Sequence, residues 1–244
     1  MAGAVRVHGP RWTLVAGALV LLAASGGYRQ PLQTPSPPVV FPLDGTRGLT
    51  LIGTHARAVS YQGRKAVELT EAASSADTVT GLEEVALLDR TDFSDGSIEL
   101  WVASTLAPGA AADARGFVGL VFRSAADGKR FENFYLRPTN GRADDQLRRN
   151  HATQYASLPD YPWFRLRKET PGKYESYADL VPGRWTHLRV VVAGERATLY
   201  VNDAPQPTLV VNDLKLGPTR GKIGVWIGPG TVGYFSRMAV TTTS

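Results

Sequence analysis

Cysteine is absent from all 244 residues. That excludes disulfides, cysteine-held metals and a lipid-modified N-terminal cysteine, so any folded domain must rely on its core alone. Histidine is scarce: His8, His55, His151 and His187 are the four, and their spacing lacks a zinc-ligand pattern such as H-E-x-x-H. No glycine-rich loop leads from a strand pattern into a helix, and no G-x-S-x-G occurs, so nucleotide-binding and serine-hydrolase readings have no support. Missing too is any amphipathic helical pattern of about ten residues or more. Charge of one sign is not in excess. There are 27 Lys+Arg against 22 Asp+Glu, and the basic residues are scattered, which argues against a nucleic-acid partner.

What is present begins with a basic start at Arg6, His8 and Arg11. An apolar run follows from Trp12 to Ala24, with a small-residue exit at Ala23-Ala24-Ser25. This reads as a secretory signal over residues 1–25, so an exported, secreted or periplasmic protein is expected. The run is short of the ~20 residues that span a bilayer, so no stable membrane insertion is expected after cleavage; a retained anchor is the alternative. Residues 26–38, including YRQPLQTPSPP from Tyr28 to Pro38, read as a Pro-rich extended linker. Residues 39–244 then form one domain, in a chain that at 43% hydrophobic is rich enough for a substantial core.

Within that domain short strands alternate with turns rich in Gly, Pro, Asn and Asp. Ile98, Leu100 and Val102 alternate with Glu99 and Trp101 after the turn Asp95-Gly96. Leu188, Val190 and Val192 alternate with His187, Arg189 and Val191; Ala197, Leu199 and Val201 alternate with Thr198 and Tyr200; Ile223, Val225 and Ile227 alternate with Gly224 and Trp226. Gly116 to Arg123, GFVGLVFR, is nearly continuous in apolar residues, as a strand buried on both faces would be. Phe235, Met238 and Val240 lie in a last strand whose period-two pattern breaks down. Val39–Pro42, Leu49–Ile52, Ala66–Leu69 and Val85–Leu88 are weaker strands. The predicted fold is all-β, a two-sheet antiparallel sandwich or jelly roll.

The most unusual stretch runs from Phe131 to Arg167. It starts as a strand, then leaves the sheet for a long excursion dense in Arg, Asn, Asp, Gln, His and aromatic residues. Ordered loops of that length and polarity are commonly functional. If Phe134 and Leu136 face the core, the pleat sends Asn133, Tyr135 and Arg137 to the opposite, open face. Glu99 and Trp101, Thr198 and Tyr200, and Trp226 point outward from their own strands on the same logic.

The segments DFSDGSIELWV, GFVGLVFR, FENFYLRP, PGRWTHLRVVVAGERATLYVND and GKIGVWIG, taken in order, resemble the concanavalin A-like lectin/glucanase superfamily. Within it the chain is similar to laminin-G-like domains and to bacterial domains named for 3-keto-disaccharide hydrolases. The resemblance covers about Val39 to Val240. It implies a sandwich fold, and a superfamily whose members are sugar-binding lectins, glycoside hydrolases, lyases and adhesion modules, so the function has to be argued from the site.

A glycosidase needs two carboxyl groups a few ångströms apart. The E-x-D-x-x-E-like strand motif of retaining glucanases of this fold is missing. Glu99 stands alone on its strand, and Asp144 and Asp145 are adjacent, so an extended backbone would turn them to opposite sides. Glu132, Glu169 and Glu175 could complete a pair, but no spacing requires it. The catalytic candidates, should the chain be an enzyme, are Glu99, Asp144, Asp145 and His151. No cofactor is expected; calcium on Asn140, Asp144 and Asp145 is the one option, without an EF-hand-like spacing. Sugars are held by aromatic stacking and planar hydrogen bonds. That chemistry points to a carbohydrate or glycan ligand on Asn133, Tyr135, Arg137, Asn140, Arg149, His151, Gln154 and Tyr155. The leading expectation is a carbohydrate-binding domain; a glycoside or keto-sugar hydrolase, and an adhesion module that binds protein, are the alternatives.

Overall fold

Why the strand signals recur so regularly is plain from the computed structural model, which describes residues 37–72 and 84–243 together with Met1 and Gly3. The expected signal over residues 1–25 and linker over 26–38 lie almost entirely outside the described residues. Among the described residues fifteen strands are present: β1 (Val39–Phe41), β2 (Leu49–Ile52), β3 (Thr54–Tyr61), β4 (Arg64–Glu71), β5 (Val85–Leu88), β6 (Gly96–Leu106), β7 (Val118–Ser124), β8 (Phe131–Leu136), β9 (Thr153–Leu158), β10 (Glu175–Ser176), β11 (Thr186–Ala193), β12 (Arg196–Val201), β13 (Leu209–Val211), β14 (Lys222–Ile227) and β15 (Thr231–Thr242). One sheet runs β13-β12-β11-β6-β15-β4-β3, with β1 also paired to β15; the other runs β10-β9-β8-β7-β14-β5-β2. The strands pair antiparallel throughout, as in β11 with β6 and β7 with β8. The protein is thus an all-β, two-sheet antiparallel sandwich. Among the described residues no helix is long and apolar enough to cross a membrane.

The core follows from the alternation. Ile98, Leu100 and Val102 of β6 and Leu188, Val190 and Val192 of β11 meet Leu120 and Phe122 of β7, Phe134 and Leu136 of β8, and Val225 and Ile227 of β14. Burying each such side chain stabilises the fold by roughly 1.5–3 kcal/mol. The broken period of the last strand has a local cause. Between Ser236 and Ala239 the register against β6 shifts by a residue, and Arg237 sits at φ 46° with its N–H on the Pro42 carbonyl, 2.8 Å away. This bulge lets Phe235 and Met238, three apart, both enter the core.

The second sheet is buried on its outer face as well. Val85, Leu87, Val121, Phe131, Tyr135, Ala156, Leu158 and Trp226 form a separate apolar cluster there. That accounts for the continuous apolar runs of β5 and β7, every residue of which is buried. It also corrects one expectation: the face holding Asn133, Tyr135 and Arg137 is not open. All three lie opposite Phe134 and Leu136 as the pleat requires, but they are only 1%, 3% and 4% exposed. The outward aromatics do not share one surface either: Trp101 and Tyr200 are on the first sheet, Trp226 on the second.

Candidate functional site

The polar excursion is a closed loop. It leaves β8 at Arg137, whose N–H donates to the Ala152 carbonyl at 2.8 Å, and returns to the same sheet as β9. Between these ends a 3-10 turn spans Pro138–Asn140 and a short helix, α1, spans Gln146–Asn150. Asp145 caps α1, its Oδ1 accepting the Arg148 N–H at 3.0 Å. After β9 the chain forms α2 (Trp163–Glu169), with Pro162 fixing its entry. Gly141 allows the turn to sit against the backbone of Leu180, since a Cβ there would lie 2.5 Å from the Leu180 nitrogen.

These pieces, with the segment leading into β7, enclose a cleft of about 430 Å³ at the edge of the second sheet. Asp113, Arg115 and Phe117 make one wall; Asp145, Leu147, Arg148 and His151 make another; Trp163 and Arg167 come from α2; Arg137 and Asn140 lie at the floor. The volume falls in the range of small-molecule sites, about 300–1,000 Å³.

Arg137 organises the floor. Its guanidinium donates to the His151 carbonyl (3.1 Å), Glu175 Oε1 (3.3 Å), the Tyr135 hydroxyl (2.9 Å) and Gln154 Oε1 (3.1 Å). Burial lowers its proton affinity, while Tyr135 and Glu175 act against that. Burial likewise pushes the Tyr135 phenol up to about 12, so it stays protonated and accepts from Arg137. Glu175 is shared: Arg167 binds both its oxygens, with Nε 3.0 Å from Oε2, and His151 Nε2 lies 3.5 Å from Oε2. The His151 ring is held below its ordinary pKa, first by burial and then by the charges of Arg167 and Arg137, against the pull of Glu175 and Asp145. Asn140 donates to the His151 carbonyl (3.2 Å) and accepts from Arg148 Nε (3.0 Å).

Of the residues expected at a site, Arg137, Asn140, Asp145 and His151 are brought together around the cleft. Tyr135 and Gln154 lie beneath, as partners of Arg137. Asn133 is buried on the same outer face, with Oδ1 unpartnered, and does not line the cleft. Tyr155 is placed elsewhere. It pairs with Phe134 on the inner face, sits fully buried in the main core, and donates its hydroxyl to Glu132 Oε2 at 2.5 Å. Glu132 is therefore a core carboxylate, its pKa raised by burial against the bonds from Tyr155 and the Leu216 N–H. Arg149 turns outward to Tyr177, with NH2 3.2 Å from the hydroxyl. Asp144 is exposed and off the cleft. Glu99 belongs to the other sheet, its Oε2 4.0 Å from His187 Nε2. Glu169 pairs with Arg165 on the exposed side of α2 at 2.8 Å.

Among the described residues no group of three or more His, Asp or Glu side chains is placed to hold a metal. The calcium option fits poorly at Asn140, because its Oδ1 already accepts from a guanidinium. Left unmarked by the sequence reading were Arg115, Phe117, Leu147, Trp163 and Arg167. The one signal was Trp163 and Arg167 four apart behind Pro162, a spacing that puts both on one side of a helix. The Arg167 guanidinium does stand over the Trp163 ring, 4.6 Å from its centroid.

No family model matches the chain, and no curated protein matches it either. A solved structure does share its fold, a two-sheet antiparallel β-sandwich. A candidate glycosyl hydrolase from Parabacteroides distasonis superposes with a TM-score of 0.52 at 10% identity, over 84% of this chain and 99% of that one. A Bacillus subtilis protein of unknown function with a galectin-like fold gives 0.49 at 12%, over 86% and 99%. The carbohydrate-binding module CBM66 of Bacillus subtilis gives 0.45 at 14%, over 80% and 94%. At these identities the likeness is one of fold.

Proposed function

We propose that this chain is an exported glycan-binding domain whose ligand lodges in the cleft between α1, α2 and the segment entering β7. The observation that carries the reading is Trp163. Trp163 is 37% exposed, and it borders a cleft whose other walls offer guanidinium, imidazole and carboxylate groups. A flat apolar ring beside converging planar donors suits a sugar, which has an apolar face and a hydroxylated edge. Leu147, 66% exposed at the rim, extends the apolar surface.

Binding is favoured over hydrolysis by how the nearby carboxylates are used. Asp145 caps a helix, and Glu175 is held between two guanidiniums. That leaves Asp113 as the one cleft carboxylate without such a partner among the described residues, and a single carboxylate does not make an acid–base pair. A glycan array with the full chain, followed by calorimetric titration of the hits, tests the proposal. Parent protein is expected to bind, and Trp163→Ala to lose at least tenfold in affinity, about 1.4 kcal/mol. Equal affinity in that variant would move the ligand elsewhere, and release of reducing sugar from a bound oligosaccharide would make the protein a hydrolase. Export rests on the basic, apolar and small-residue order of residues 1–25, and N-terminal sequencing of the secreted species checks it.

A further inference from the structure

The four arginines of the cleft are not equivalent. Arg137 and Arg167 share Glu175. Arg115 and Arg148 have no carboxylate within 4.0 Å of their guanidiniums among the described residues. Arg115 is anchored through one nitrogen, NH1, to the carbonyls of Ala112 (2.9 Å) and Ala114 (2.8 Å), which leaves Nε and NH2 without a bond. Arg148 is aimed by Asn140 Oδ1 (3.0 Å) and Thr139 Oγ1 (3.5 Å), which leaves its NH1 without one. The carboxylates nearby, Asp113 and Asp145, compensate only in part, since neither forms an ion pair with Arg115 or Arg148. Asp145 spends Oδ1 on the Arg148 backbone N–H, and Asp113 is exposed and makes no ion pair with Arg115.

Two guanidiniums held at one cleft by neutral oxygens repel each other, and that repulsion is a cost in the empty site. The field of Arg148 is felt at Arg115, whose proton affinity is lowered first by burial and then by that charge, with Asp113 acting the other way and Arg137 adding to it. A bound anion would remove the cost and gain charge-assisted bonds from the open nitrogens. Neutral sugar hydroxyls could accept from those nitrogens but would leave the repulsion in place.

We propose that the glycan held in this cleft carries an anionic substituent, a carboxylate or a sulfate, seated between Arg115 and Arg148 while a sugar ring lies against Trp163. The inference rests on the glycan-binding reading above and narrows it to acidic polysaccharides.

Titration calorimetry of the full chain at low salt tests it with matched probes: a trigalacturonate and its methyl ester, a sulfated disaccharide and its desulfated form. At least one charged probe is expected to bind tenfold or more tighter than its neutral partner, and the preference should shrink as salt rises. The trigalacturonate and sulfate arms tell the two anions apart. In Arg148→Gln, and separately in Arg115→Gln, the charged-over-neutral ratio should fall to near one, so the test survives if either variant misfolds. If neutral and charged partners bind alike and Trp163→Ala weakens both, the anionic seat is overturned while glycan binding stands. If no probe binds the folded parent and an array yields no hit, both are overturned together.

Discussion

Two arginines, at opposite ends of the β7–β8 pair, are almost equally buried yet do different work. Arg123 closes β7, with a fully buried side chain. It donates to the carbonyls of Ser94 (3.1 Å), Gly194 (2.8 Å) and Gly217 (2.6 Å), and to Asp95 Oδ1 (3.0 Å). Those acceptors lie in the β5–β6, β11–β12 and β13–β14 connections, so one guanidinium ties three turns from both sheets. Arg137, just past β8, spends its donors mostly on side chains: Tyr135, Gln154 and Glu175. Carbonyl oxygens are fixed by the backbone, and an arginine bound to them fixes backbone in return. Side-chain acceptors have rotamers and protons of their own, so an arginine bound to them transmits what happens at the cleft.

The largest loss of stability is therefore expected at Arg123. Arg123→Ala would strand three carbonyls and Asp95 around a cavity and cost about 3–5 kcal/mol, with little specific change in ligand affinity for the fraction still folded. Urea denaturation followed by titration at low temperature measures both. Arg137→Ala should cost less, about 2–3 kcal/mol, because Glu175 keeps Arg167. Its effect on binding should be the greater, tenfold or more, since His151 and Gln154 lose the group that holds them. If Arg123→Ala weakened binding as much as Arg137→Ala at equal folded fraction, the contrast between fold and site would not hold.

Smaller again in stability is Trp163→Ala. A ring this exposed, on a two-turn helix, should cost under about 1 kcal/mol, with its loss read in binding instead. A thermal midpoint lowered as far as in Arg137→Ala would mean that the indole is a support of the fold rather than a surface for ligand.

How far these roles could be read in advance differs by residue. Alternation placed Phe134 and Leu136 inside and Tyr135 and Arg137 opposite, because the pleat has period two whatever covers the faces. It could not say that the opposite face is itself buried, although the unbroken apolar runs of GFVGLVFR and VALL carry that information. Tyr155 shows the remaining gap: in TQYASL all six residues are buried, so polarity does not tell which side meets the core. Trp163 and Arg115 reach the cleft from segments on either side of the β7–β9 region, and Glu175 arrives from β10. Their convergence depends on sheet order, which no local pattern reports. The loop was legible as a polar excursion; its closure by β9 and its partners were not.

The smallest effect concerns pH and distinguishes the two arginines through their neighbours. Folding lowers the pKa of His151, through burial first and then the Arg167 and Arg137 charges, against Glu175 and Asp145. Between that lowered value and the unfolded one, about 6.5, the unfolded chain binds the proton more readily, so stability rises with pH across this window. Above it His151 adds no pH dependence; below it the stability has been lost. Thermal midpoints of the parent should thus fall as pH drops below about 6.5, and His151→Gln should remove that part of the slope. In Arg137→Ala the step should shrink, because one repelling charge is gone and water reaches the ring more easily. Arg123 bonds only carbonyls and one aspartate, and the titratable group its charge acts on is the core carboxyl of Glu132, which it holds down against burial, not a residue of the cleft. A parent whose midpoint is flat from pH 6.5 to 5, or that matches His151→Gln throughout, would show that the imidazole is not held in this electrostatic frame.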